Sequence, residues 1–319
     1  MNVLIADKFP GDYVDELRSF GCTVSYNPDL TGEALDDVLK KEQPEVLIVR
    51  STRVAGKMIE GLSQLKLIIR AGSGFDTIDV KAASERSISV ANCPGMNSIA
   101  VAELAFGLML SLDRRIPDNV IELRQGKWNK EEFSKARGIF GRTLGIIGFG
   151  RIGKEMAPRA KAFGMSVIAW SRSLTLEKAR EFDIEYGETP ETVASRADVL
   201  SIHLSLTKET RGMIGANIFD AMKPGSFFIN TSRAEVVDQA ALLKAMNEKA
   251  IRAGLDVFEG EPAAKVGAID EEIVKHKMLY GTHHIGASTD QAQSAVAEEA
   301  IRIVREYKER GHIPNLVNP

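Results

Sequence analysis

Little cysteine, no surplus of either charge and no long apolar run: each of these shortages removes a class of function. Cys22 and Cys93 are the only cysteines in 319 residues, which gives neither a disulfide framework nor metal-ligand spacing and suits a reducing cytoplasm. Neither thiol is expected to be catalytic, and no metal site is expected. Lys and Arg number 41 against 44 Asp and Glu, a formal net charge of −3, so the basic excess that nucleic acids or anionic membranes require is missing. Any anion site must therefore be local. The most apolar stretch, VAELAFGLML (101–110), carries Glu103 and falls short of a bilayer span. The opening NVLIA ends at Asp7 and reads as a first strand, not a signal sequence. Repeats, low-complexity tracts and long linkers are absent. The expectation is a soluble cytoplasmic protein with neither nucleic acid nor membrane as partner.

What is present is regular alternation. At this length, 44% hydrophobic residues can fill two domain-sized cores. Short β-branched runs alternate with helical patterns: NVLIA, GDYVDELRSF, CTVSY, GEALDDVLKK, EVLIV, KMIEGLSQL, KLIIR, DVKAASE, ISVAN. Such alternation predicts a parallel sheet covered on both faces. It breaks at residues 97–140, where helical sequence dominates. SIAVAELAFGLMLSLDRR is apolar around most of its circumference, which predicts burial between domains or subunits and makes it a candidate dimer seam. A second series runs from Arg142 to about Tyr280, with strands near TLGII, SVIAW, DVLSIHL, SFFIN and AGLDV. Ser288 with Gln291 forms a capping-box pair ahead of a long final helix, with Ala292, Val296, Ala300 and Val304 on one stripe. The closing HIPNLVNP is expected to dock onto the first domain.

The most informative stretch is RTLGIIGFGRIG (142–153). A G-x-G-x-x-G alone is weak, but here a strand pattern precedes it, a helix pattern follows, and MSVIAW (165–170) closes the unit. Gly148 permits the tight turn, Gly150 lets backbone approach a pyrophosphate, and Gly153 lets helix pack on strand, with Arg151 and Ile152 opening a helix whose N-terminus attracts phosphate. A generic strand-to-helix turn is the plainer alternative. Pro158, about two turns on, is expected to kink or shorten that helix.

Three further stretches, NTSRAEVVD (230–238), GLDVFEGEP (254–262) and THHIGAST (282–289), resemble the D-2-hydroxyacid dehydrogenase family. Within it RSTRV (50–54), RAGSGFDTID (70–79), NCPGMNSIAVAEL (92–104) and HIGASTDQAQ (284–293) are most similar to the D-3-phosphoglycerate dehydrogenases, in a short form without a regulatory domain. The resemblance implies an α/β protein of two doubly wound parallel-sheet domains: a Rossmann-type NAD(P) domain (98–286) inserted into a flavodoxin-like substrate domain (1–97 plus 287–319); with the apolar helix as seam, a homodimer is expected. It puts a catalytic trio on Arg233, Glu261 and His284. An imidazole can take the hydroxyl proton near neutrality while hydride leaves C2; a carboxylate fixes its tautomer; a guanidinium grips the substrate carboxylate through two parallel bonds. His283, where the family usually has proline, is expected to be a structural or supporting histidine. The resemblance also implies cofactor contacts at Thr231, Asp256, Gly286 and His203, although His203 reads equally well as a satisfied buried histidine. It places the Ser73 and Gly74 amides against the carboxylate. Arg50, Arg53 and Arg70 supply charge that could meet a phosphate, with Arg70 equally readable as a structural ion-pair partner.

Two departures bear on specificity. WSRS holds Ser171 and Arg172 where an acid would bind the adenosine ribose, which predicts use of NADP at least as well as NAD unless Arg172 stacks on adenine or points to solvent. Ala234 and Glu235 replace two glycines after Arg233 and could alter the charge preference of the site. The favoured reaction is D-3-phosphoglycerate to 3-phosphohydroxypyruvate, as in serine biosynthesis. The alternatives are an NADPH-linked hydroxypyruvate or glyoxylate reductase and, from another class, a dinucleotide-sensing corepressor.

Overall fold

The computed structural model describes residues 1–262 and 266–318. The chain divides into two compact units, Met1–Asn97 with Ala287–Pro319 and Ser98–Gly286. The first holds β1 (Asn2–Ile5), β2 (Thr23–Tyr26), β3 (Val46–Val49), β4 (Leu67–Arg70) and β5 (Ser89–Asn92). All pair in parallel in the order β2-β1-β3-β4-β5, the flavodoxin-like arrangement. Alternate residues of these strands feed the two faces: Val3, Ile5, Val46, Ile48, Leu67 and Ile69 meet the final helix, while Leu4, Leu47, Val49 and Ile68 meet Leu35 and Leu39. That two-sided burial is why the strands read as unbroken apolar runs.

The final helix is Asp290–Arg310, and its cap is Thr289, whose Oγ1 accepts from the Ala292 amide at 3.1 Å. The capping pair expected at Ser288 and Gln291 is thus displaced by one residue, while Ala292, Val296, Ala300 and Val304 are buried as the stripe required. The closing residues run beside β5: the Val317 amide donates to the Val90 carbonyl and Asn318 Oδ1 accepts from the Val90 amide. KMIEGLSQL is helical only over Gly56–Ile59, because Gly61 turns the chain at φ +78°.

The second unit holds β6 (Thr143–Ile147), β7 (Ser166–Trp170), β8 (Glu185–Tyr186), β9 (Val199–Ile202), β10 (Phe227–Asn230), β11 (Arg252–Leu255) and β12 (Leu279–Gly281). The parallel order is β12-β11-β10-β9-β6-β7-β8, a doubly wound sheet that reverses direction of growth between β6 and β9. The helix Ser98–Arg114 packs on β10, β11, β12 and the helix Arg151–Ala162, burying Ala102, Ala105, Phe106, Met109 and Leu112 in this unit's core. Most of the apolar circumference is thus buried in this unit's own core, while Ile99 stays exposed. The helix Arg151–Ala162 also runs unbroken through Pro158. Pro158 is exposed, so water can satisfy the Lys154 carbonyl that loses its donor.

Register positions everything that follows. Trp170, Ile147, Ile202, Asn230, Leu255 and Gly281 lie side by side across the carboxyl ends of β7, β6, β9, β10, β11 and β12. One residue further, Ser171, Gly148, His203, Thr231, Asp256 and Thr282 form the next row. Its amides still bond back into the sheet: Gly148 to the Trp170 carbonyl, His203 to Ile147, Asp256 to Asn230 and Thr282 to Leu255.

Candidate active site

The glycine turn is shaped by what a side chain would strike. At Gly148 (φ +102°) a Cβ would lie 2.3 Å from the His203 carbonyl oxygen, and at Gly153 it would lie 2.6 Å from the Gly148 carbonyl oxygen. Gly150 faces open space and begins the helix Arg151–Ala162 with no side-chain cap, so unused first-turn amides are left for an anion. Arg151 is exposed and Ile152 half-buried. Along the row, Ser171 Oγ, His203 Nδ1 and Thr231 Oγ1 are buried without a hydrogen-bond partner. Three such atoms at the crevice where an open α/β sheet takes its ligand fit a polar, extended molecule such as a dinucleotide. Burial pulls the His203 pKa down to about 3, so this ring is neutral at physiological pH and does no acid–base work. Arg172 is exposed, with Glu209 as an anionic neighbour; the Glu209 carboxyl is held below its usual range first by the Thr207 hydroxyl and its own amide, with Arg172 adding to them.

Asn230, the last residue of β10, sets the next turn. Its Nδ2 donates to the Arg233 carbonyl at 2.9 Å, and its Oδ1 accepts from the Ser232 amide (3.0 Å) and hydroxyl (2.7 Å). Arg233 is half-buried, with Nη1 donating to the Ser232 carbonyl at 2.7 Å. Ala234 and Glu235 follow in a single 3-10 turn, Ala234–Val236, with the Glu235 side chain half-exposed. Glu261 Oε1 accepts from the Phe258 amide and Oε2 meets His284 Nδ1, each at 2.8 Å. Burial opposes ionisation of Glu261, but the His284 bond and charge, the Phe258 amide and Arg233 together hold its carboxyl below the usual range. An ionised carboxylate only accepts, so Nδ1 carries the hydrogen and Nε2 presents its lone pair.

His284 sits at φ +52°, a region costly for a side chain with a Cβ. Asp256 holds it there. The Asp256 carbonyl accepts from the His284 amide at 2.8 Å, and its fully buried carboxylate takes the Ile285 and Gly286 amides at 2.8 Å each and the Thr282 hydroxyl at 2.6 Å. Asp256 and Gly286, expected as cofactor contacts, are thus bonded to each other in the strap that carries His284. His283 is exposed and makes no hydrogen bond or ion pair among the described residues.

In the other unit, Asp7 organises the loop after β3. Its carboxylate accepts from the amides of Arg50 (2.7 Å), Ser51 (3.1 Å) and Thr52 (3.0 Å). Arg50, expected to offer charge to a phosphate, instead directs Nη1 to Gln293 Oε1 (3.1 Å) and Nη2 to the Ala287 carbonyl (3.3 Å). Arg53 is exposed, and the Arg70 guanidinium lies where a side chain at Gly72 would stand. The Ser73 hydroxyl donates to Asn97 Oδ1 at 2.6 Å and accepts from the Gly95 amide at 3.1 Å. The amides of Ser73 and Gly74 have no acceptor among the described residues. Asn230, Thr282 and Asp7 escaped sequence reasoning; the available signal was a polar residue at or just past the end of an apolar strand.

The sequence profile of the D-isomer specific 2-hydroxyacid dehydrogenase NAD binding domain matches residues 106–286. The chain belongs to the D-isomer-specific 2-hydroxyacid dehydrogenase family. A D-3-phosphoglycerate dehydrogenase of Methanocaldococcus jannaschii is 39% identical over 96% of this chain and 58% of its own length, so the chain spans little more than half of that relative. A hydroxypyruvate reductase of Thermotoga maritima is 41% identical over 89% of this chain and 91% of its own. Among solved structures of the dehydrogenase fold, an NAD+-bound 3-phosphoglycerate dehydrogenase of Entamoeba histolytica superposes with a TM-score of 0.83 at 26% identity, covering 100% of this chain and 99% of its own. Among the described residues no helix is long and apolar enough to cross a membrane.

Proposed function

We propose that the protein is a cytoplasmic NAD(P)-dependent D-2-hydroxyacid dehydrogenase. The observation that carries this reading is the pairing of His284 Nδ1 with Glu261 at 2.8 Å in the same unit as the polar row and the glycine turn. When bound, the nicotinamide exchanges a hydride with C2 of the acid. His284 Nε2 takes the hydroxyl proton as the C2–O bond becomes a carbonyl and returns it in reduction, and Glu261 stabilises the imidazolium formed in between. Arg233 binds the substrate carboxylate and offsets charge on the C2 oxygen. The free Ser73 and Gly74 amides are suited to the same carboxylate. Gly148, Gly150 and the first turn at Arg151 and Ile152 would hold the pyrophosphate, with Thr231 and His203 beside it and Ser171 with Arg172 toward the adenosine ribose.

The favoured substrate is D-3-phosphoglycerate, with Arg53 and Arg70 meeting the phosphate. A second reading, reduction of hydroxypyruvate or glyoxylate with NADPH, is favoured by Arg50, whose guanidinium is taken up by Gln293 and Ala287, and by the Ser171–Arg172 pair. Steady-state turnover of hydroxypyruvate and its 3-phosphate with both reduced cofactors separates them. A Michaelis constant at least tenfold lower for the phosphorylated acid supports the first reading, and equal constants support the second. Absence of turnover on any 2-oxo acid would leave the corepressor reading standing. Exposed Ile121, Leu123, Trp128 and Phe140 in the second unit give it an apolar surface suited to a homodimer, which light scattering tests.

A further inference from the structure

Ser201 is the third residue of β9, paired in register with Ile146 and Ile229 on its neighbours, and it is fully buried. Its hydroxyl has one partner among the described residues, Nε2 of His203 at 2.9 Å. Residues two apart on an extended chain emerge on the same face, which brings the two side chains together. A buried hydroxyl must give its proton to an acceptor or leave it unpaired. The one acceptor in reach is the lone pair of Nε2. Were Nε2 protonated instead, it would donate to Ser201 Oγ, stranding both the hydroxyl proton and the Nδ1 lone pair. The first arrangement strands only one group, the hydrogen on Nδ1, and Nδ1 is indeed buried without a partner.

We propose that Ser201 is a positioning residue that locks His203 in its Nδ1–H tautomer, so that the ring presents one neutral donor to an acceptor oxygen of a bound dinucleotide. The inference rests on the dinucleotide reading of the site and adds to it a residue inside the sheet and a defined hydrogen. His203 stands in the row beside Gly148, against whose turn its own carbonyl is packed. Ser171 and Thr231, in the same row, also have unpartnered buried oxygens. A neutral donor keeps its role across the physiological range, since burial prevents the ring from charging.

The test is a long-range proton–nitrogen correlation of the histidine side chains in the ligand-free protein, with the His203→Asn spectrum used for assignment. The expected pattern is a protonated Nδ1 and a bare, hydrogen-bonded Nε2, unchanged from pH 8 to pH 5. Ser201→Ala should let both tautomers appear and weaken NAD(P)H binding by about three- to tenfold, as expected for one hydrogen bond, with a melting curve confirming the fold. His203→Asn, whose Nδ2 can occupy the place of Nδ1–H, should keep affinity better than His203→Gln. An Nε2–H tautomer in the wild type, or a Ser201→Ala variant with unchanged spectrum and affinity, overturns the proposal. If neither dinucleotide binds the wild type, the reading of the site fails and the donor's purpose with it; the ligand-free spectrum tells that failure from a wrong tautomer.

Discussion

Replacing Asp256 should uncouple catalysis from cofactor binding. Its carboxylate satisfies two amides and one hydroxyl in the strap Thr282–Gly286, and these bonds hold His284 at a positive φ. A buried donor that loses its acceptor costs about 1–3 kcal/mol, and the left-handed histidine stores a further ~1–3 kcal/mol. In Asp256→Asn one carboxylate oxygen becomes an NH2 group facing a backbone amide. The strap can avoid that clash by letting His284 relax to negative φ, which carries the imidazole away from Glu261. About 3 kcal/mol of lost alignment corresponds to a fall in kcat of roughly 150-fold. The Kd for NAD(P)H, measured by fluorescence titration, should change less than threefold, because the glycine turn and the unpartnered atoms of Ser171, His203 and Thr231 lie on other strands. A variant that keeps kcat within threefold of wild type, or that loses cofactor affinity as fast as turnover, refutes the assignment of Asp256 to the strap.

Other outcomes follow from the same geometry. His284→Ala should lower kcat by about a hundredfold or more with cofactor affinity intact, while His283→Ala, at an exposed and unpartnered position, should stay within threefold; the reverse result would move the base to His283. The Ser171→Asp/Arg172→Ala double variant should shift cofactor preference toward NAD(H) by about 1–3 kcal/mol, read as the ratio of Kd values at fixed salt; a wild type that already binds NAD far more tightly than NADP contradicts it. His203 has a folded pKa of about 3, below the ~6.5 of an unfolded histidine. Below pH 6.5 only the unfolded chain takes that proton, so the contribution of His203 to stability is complete above this pH and is lost toward pH 3, by up to about 1.4 kcal/mol per pH unit. Urea midpoints at pH 7 and pH 5 should therefore fall more steeply for wild type than for His203→Asn, and parallel slopes would show that the ring is not buried neutral.

Legibility tracked the range of the interaction. The alternation of strands and helices and the glycine turn are local signals and were visible before any fold was known, whereas His203, Thr231 and Asp256 entered through the family resemblance. The dyad of Glu261 and His284 was legible only through motif resemblance, since 23 residues separate the two along the chain. What stayed hidden depends on where side chains reach in three dimensions. Arg50 looked like a free cation because Gln293, which receives it, lies 243 residues away. The apolar circumference of the Ser98–Arg114 helix does not say by itself which strands cover it; β10, β11 and β12 do so in the fold. At two and three residues, β8 and β12 are too short for a periodic pattern to register.

The tail beside β5 bears on how this protein would fail. β5 ends the sheet of the first unit, and an unpaired strand edge is a template for another chain. Residues 315–318 occupy that edge through the Asn92, Val90 and Val317 amides. Detachment of residues 315–318 from β5 would leave every catalytic group in place and yet expose the strand to pairing with a second molecule. Such detachment should therefore first be visible as concentration-dependent association and turbidity, with specific activity per folded molecule still normal.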